Sequence, residues 1–132
     1  MIDIYVAVPY DDPDPLVREE RFLRVTEYAA HLIAQGYTVY SPITHSHPMA
    51  VACPLLGRGW RYWKEQDEQY IRMCEGCRVL MLPGWKDSRG VAAEIEMFKS
   101  AGKIVRYVFT DWRGGEPDLE FVDEEEEGRL EL

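Results

Sequence analysis

The chain has 132 residues (15.4 kDa), of which 46% are hydrophobic and 30% charged, the composition of one soluble globular domain. No apolar run nears the roughly 18 residues of a membrane span, and a formal net charge of -9 has the wrong sign for gripping phosphodiester backbones, which sets aside a bilayer and a nucleic-acid polymer as partners. Three cysteines and an N-terminus without signal-peptide order point to a reducing cytoplasm.

Met1 to Pro9 is short, β-branched and apolar nearly throughout beyond Asp3, which predicts a central parallel strand. Asp14 followed by Pro15 is a helix-start signature, and apolar residues recur at helical spacing until Gly36. Tyr37 to Ser41 predicts a second strand ended by Pro42. The Pro- and Gly-punctuated stretch Ile43 to Gly59 reads as a long loop, a length often associated with function. Trp60 to Glu75 has helical spacing, Arg78 to Leu82 is a buried-type strand, Ser88 to Ala101 is a helix closed by Gly102, and Lys103 to Phe109 is a fourth strand. The order predicts an α/β domain over 1–115, a parallel sheet with helices on both faces and right-handed crossovers. The rest, 116–132, is an acidic tail: it holds nine acidic residues and one basic, against 15 acidic and 14 basic in the first 115. Its run Asp123 to Glu127 reads as solvated or disordered, with no chemistry assigned.

In such folds ligands bind beyond the carboxyl ends of the strands, here Pro9 to Asp14, Ser41 to Gly59 and Pro83 to Gly90. Ser88 stands in N-cap position, so free N–H groups and the helix dipole favour an anion there. In that helix Val91, Ile95, Phe98 and Gly102 define a buried stripe with Glu94 on its flank, about 60° from the centre at 100° per residue. Leaning toward the N-terminus, Glu94 reaches over Gly90, which has no side chain to block it. The alternative is an edge carboxylate paired with a Lys or Arg. Glu96, pointing away from the stripe, serves as the control for a solvated acid. In the preceding helix Asp67 sits inside a stripe of Trp63, Tyr70, Ile71 and Cys74, where burial demands hydrogen-bond partners, a raised pKa or an adjoining pocket. Two inward carboxylates at one sheet edge suit glycosyl transfer, one attacking an anomeric carbon and another acid assisting the departing group.

Ser88-Arg89-Gly90 followed by Glu94, with Asp67 on the helix before and a polar loop after the first strand, resembles the nucleoside 2-deoxyribosyltransferase superfamily over about residues 1 to 108. Within it, Pro9-Tyr10, the Ser-Pro-Ile-x-His-Ser-His-Pro loop at Ser41 to Pro48, and Leu-Pro-Gly-Trp-x-x-Ser-x-Gly-x-x-x-Glu-Ile at Leu82 to Ile95 resemble a group of small proteins known as domain of unknown function 1937. The resemblance implies a three-layer flavodoxin-like fold and no cofactor. It also implies a nucleoside or nucleoside monophosphate substrate and a covalent glycosyl intermediate on Glu94 as nucleophile. Asp67 would contact the nucleoside and manage a proton, and Tyr5 or Tyr10 would orient Glu94. The transferases carry an aspartate six residues before the nucleophile, whereas this chain has Ser88, as nucleoside-monophosphate N-glycosidases do, which tilts the expectation toward hydrolysis. Ser88, aided by Arg89 or Arg18, would hold a 5′-phosphate. Neighbouring subunits complete the site in that superfamily, implying a homodimer or larger homo-oligomer, although this tail shows no recognisable counterpart of the segment that does so.

His45 and His47 read as base or phosphate contacts or as structural loop residues, rather than as a metal site with Cys53. Cys74-Glu75-Gly76-Cys77, expected at a helix end before a strand, reads as packing rather than redox chemistry. Trp85, on the ligand-side loop, is the aromatic candidate for the pocket. The leading expectation is N-glycosidic bond cleavage or transfer. The alternatives are a non-catalytic nucleotide-binding module, or a structural or partner-binding protein with no pocket at Ser88 to Glu94.

Overall fold

A computed structural model describes residues 1–113 and 116–122, with side chains described through residue 110. The elements are β1 (Ile2–Ala7), α1 (Pro15–Ala34), β2 (Val39–Tyr40), α2 (Pro42–Ala52), α3 (Trp60–Met73), β3 (Cys74–Leu80), α4 (Arg89–Ser100), β4 (Ile104–Arg113) and β5 (Glu116–Val122). The sheet order is β2-β1-β3-β4-β5. The first four strands run parallel, and β5 returns antiparallel along β4. The architecture is the expected three-layer, flavodoxin-like α/β fold.

Period-two alternation on β1 separates two cores. Ile4, Val6 and Val8 pack with Val25, Tyr28 and Leu32 of α1 on one face. Tyr5 and Ala7 pack with Ile71, Val91 and Phe98 of α3 and α4 on the other. The chain runs from β1 outward to β2 and then crosses back to β3, so the direction of winding reverses between β1 and β3. A crevice therefore opens beyond the carboxyl ends of those two strands.

Three sequence expectations change. The stretch Ile43 to Gly59 is helical up to Ala52 and a loop only from Cys53: Ser41 caps α2 by accepting from Thr44 N–H, and Pro42 occupies the first turn, where its missing donor costs nothing. Pro48 sits inside that helix, which is why the segment reads as broken. Second, β3 begins at Cys74 rather than Arg78, so Cys74 and Cys77 are buried strand residues; helical spacing carries on past α3 only because Cys74 falls three residues after Ile71. Third, pairing continues past residue 115 through β5 to Val122; Asp123 to Glu127 lie outside the described residues. No helix among the described residues is long and apolar enough to cross a membrane.

Candidate active site

A cleft of about 710 Å³ occupies the crevice. Its walls come from Val8, Pro9 and Tyr10 after β1, from Pro42, Ile43 and Ser46 of α2, from the segment entering α3, and from Gly84 and Asp87 to Gly90 after β3, with Asp67 and Glu94 among the lining residues. Ser88 caps α4 by accepting from Val91 N–H, and the N–H groups of Arg89 and Gly90, both lining residues, have no acceptor within the helix.

Glu94 is 5% exposed, and its Oε2 accepts a hydrogen bond from the Tyr5 hydroxyl, itself fully buried on β1. No Lys or Arg pairs with it among the described residues, so the edge-carboxylate alternative falls. Glu94 does reach back over Gly90, but a Cβ there would lie 3.9 Å from Glu94 Oε1 and from Ser88 Oγ, an ordinary van der Waals contact, so the carboxyl does not depend on the missing side chain for space. Burial pushes the Glu94 carboxyl up to about 8, opposed by the Tyr5 hydrogen bond and reinforced by the charge of Asp67. Burial, then the negative charges of Glu94 and Asp67, hold the Tyr5 hydroxyl well above the ordinary phenol value, so it stays a donor. Of the two tyrosines expected to orient Glu94, Tyr5 is the one that touches it.

Asp67 is 8% exposed and has no side-chain hydrogen bond among the described residues. Burial raises its carboxyl to about 7. Of the three outcomes its place in an apolar stripe demanded, the structure supplies the raised pKa and the adjoining pocket. Burial raises both carboxyls and the charge of Asp67 adds to the rise at Glu94, so ionising the two together is disfavoured, a property of the pair rather than of either residue. Glu96, the control, is exposed and bonds Ser100 on its own helix.

Other expected site residues divide sharply. Pro9, Tyr10, Ser88, Arg89 and Gly90 line the cleft. Arg18, His45, His47 and Trp85 are not among its lining. Arg18 donates to the Asp12 carbonyl at the loop, and His45 lies exposed against the rings of Tyr40 and Tyr70. His47 is buried between Tyr10 and Glu19, and Trp85 packs on Tyr107 under the apolar core. Among the described residues no group of three His, Cys, Asp or Glu could hold a metal ion.

Sequence reasoning missed Arg21, Arg58 and Arg61 in the lining. Arg21 donates from Nη1 to the Tyr10 and Asp11 carbonyls and from Nη2 to the Pro83 carbonyl, tying the loops after β1 and β3 together. Gly84 leaves space for that guanidinium: its φ is +88°, and a Cβ there would lie 2.9 Å from Arg21 Nη2. Arg58 pairs with Asp11 at 3.3 Å. The available signal was Arg58-Gly59 leading into α3, cations beside a flexible helix start. The cleft thus has an acidic floor and arginines among its walls, a combination that suits a polar ligand with an anionic end.

No curated protein matches the chain. Residues 2–109, which span every element that builds the cleft, match the family model described as Domain of unknown function (DUF1937), and the protein belongs to that family.

Proposed function

We propose that the protein cleaves or transfers the N-glycosidic bond of a nucleoside or nucleoside 5′-monophosphate through a covalent glycosyl ester on Glu94, with hydrolysis favoured over transfer. The reading is carried by one observation: two buried carboxyls, one of them held by Tyr5, line a single cleft at the sheet's switch point. Glu94 in its ionised form attacks C1′ as the bond to the base breaks, and Asp67 in its acid form delivers a proton to the departing nitrogen. The start of α4, with Ser88, Arg89 and Gly90, offers a place for a 5′-phosphate. The same proposal extends to a homodimer or larger assembly, which light scattering tests directly.

Burial favours a second reading, because a Glu94 carboxyl pushed up to about 8 is mostly protonated at neutral pH and then a poor nucleophile. On that reading the cleft binds a nucleotide without reacting. The cleft at Ser88 to Glu94 speaks against a purely structural protein. A panel of nucleosides and their 5′-monophosphates, assayed by chromatography for free base with wild type and Glu94→Ala, separates the readings: release by wild type alone supports the enzyme, and saturable binding without release by either supports the binding module.

A further inference from the structure

The glycosyl-transfer scheme leaves two sequence motifs unused, Pro9-Tyr10 and His45-Ser46-His47, and the fold joins them. The Tyr10 hydroxyl is 2.6 Å from His47 Nδ1, and His47 Nε2 is 2.6 Å from Glu19 Oε2. The imidazole is 5% exposed and stacked on Phe22 with ring centroids 4.4 Å apart, so its orientation is fixed by α1. Glu19 is half-exposed. Its carboxylate takes the Nε2–H, which leaves Nδ1 to accept the Tyr10 proton. Hydroxyl, imidazole and carboxylate follow in the order that activates a nucleophile in hydrolases, with tyrosine in the hydroxyl place. One end of this chain, Tyr10, lines the cleft with Glu94, and the other end meets water.

We infer that Tyr10, His47 and Glu19 form a proton relay that draws a proton from the cleft to solvent while water hydrolyses the glycosyl ester on Glu94. The inference rests on the function proposed above. In that step the water oxygen bonds to C1′, the bond from C1′ to the Glu94 oxygen breaks, and its electron pair returns to the carboxylate. One water proton passes to the Tyr10 oxygen as the Tyr10 proton passes to His47 Nδ1. Glu19 steadies the resulting imidazolium, which loses its proton to solvent. The charged groups acting on the Tyr10 phenol are Arg18, Arg58, Asp11 and Glu19; burial raises its pKa most, and the two arginines oppose that rise. Tyr10 is thereby assigned the base role in the second half-reaction; Asp67 keeps the acid role in the first and takes a proton back from solvent before the next turnover.

The test compares wild type, Tyr10→Phe, Glu19→Gln and Glu94→Ala on whichever nucleoside or monophosphate of the panel the wild type cleaves. Base release and the intact protein mass are followed in time, and thermal unfolding confirms each fold. Tyr10→Phe is expected to release its first equivalent of base at nearly the wild-type rate, then slow roughly 100-fold. A sugar-sized mass should accumulate on the protein, and an added second, different free base should restore turnover by accepting the sugar as a new nucleoside. Glu19→Gln, a change at the surface, is expected to show the same adduct with a smaller loss, about tenfold, and carries the test if Tyr10→Phe unfolds. A purely structural tie among these residues would lower stability without trapping the adduct. Turnover of Tyr10→Phe within about twofold of wild type and no adduct, with Glu94→Ala inactive, overturns the relay alone. A wild type that releases no base from any substrate removes the proposed function and the relay with it.

Discussion

The two faces of the sheet are built to different rules, although β1 serves both. Toward α1 it presents Ile4 and Val6, with Val8 just past its end, and the answering Val25, Tyr28 and Leu32 are fully buried. Each such side chain contributes about 1.5–3 kcal/mol by leaving water. Toward α3 and α4 the same strand presents Tyr5, whose hydroxyl meets Glu94, and the neighbouring stripe contains Asp67 where an aliphatic residue would pack. Carboxyls with that little exposure cost free energy rather than supplying it. The comparison teaches a division of labour: an aliphatic face holds the fold together so that the other can keep two acids away from water with few partners.

On the proposed function, breaking the face that carries the two acids should give the largest effect. Glu94→Gln is expected to lower base release roughly a thousandfold while raising the melting temperature at pH 8, an opposition of activity and stability that calorimetry beside the base-release assay would detect. Leu32→Ala, on the aliphatic face, should do the reverse. It should cost about 3 kcal/mol in denaturant unfolding and leave base release per folded molecule unchanged.

The pH dependence of stability sharpens the contrast further. Glu94 keeps its proton in the folded chain up to about pH 8, whereas an ordinary glutamate releases it near 4.5. The stability linked to that proton is therefore fully present below about pH 4.5 and is lost as pH rises toward 8. Asp67 acts in the same direction between its ordinary 3.8 and about 7. Urea unfolding should show wild-type stability falling over this window by on the order of a few kcal/mol, and Glu94→Gln should remove roughly half of that fall, leaving the part linked to Asp67. The smallest effect is expected from Glu96→Gln on the solvent side of the same helix, within about 0.5 kcal/mol at any pH. A change as large as that at Glu94 would erase the distinction between the two acids.

Much of this division was legible before any coordinates. Spacing alone placed Asp67 in a buried stripe and Glu94 on the flank of another, because a polar residue at an apolar position of a helical repeat stands out. Ser88 followed from its position as a cap. What escaped did so for identifiable reasons. The helix α2 was hidden by Pro48, even though Ser41-Pro42 carries the same kind of start signal as Asp14-Pro15. His47 looked like a loop residue free to meet a ligand; once the segment is helical, one turn of α2 directs it toward α1, Phe22 and Glu19. Arg21 comes from the second turn of α1, and no local pattern tells how far a long flexible side chain will reach.

That arginine has a consequence for how a guest is admitted. By fastening the carbonyls of Tyr10, Asp11 and Pro83 to one guanidinium, it settles the aperture of the mouth when the chain folds, rather than when a molecule arrives. A newcomer then forfeits little motional freedom of the host, and selection among ligands becomes a matter of fit to a ready-made opening instead of a closing gesture.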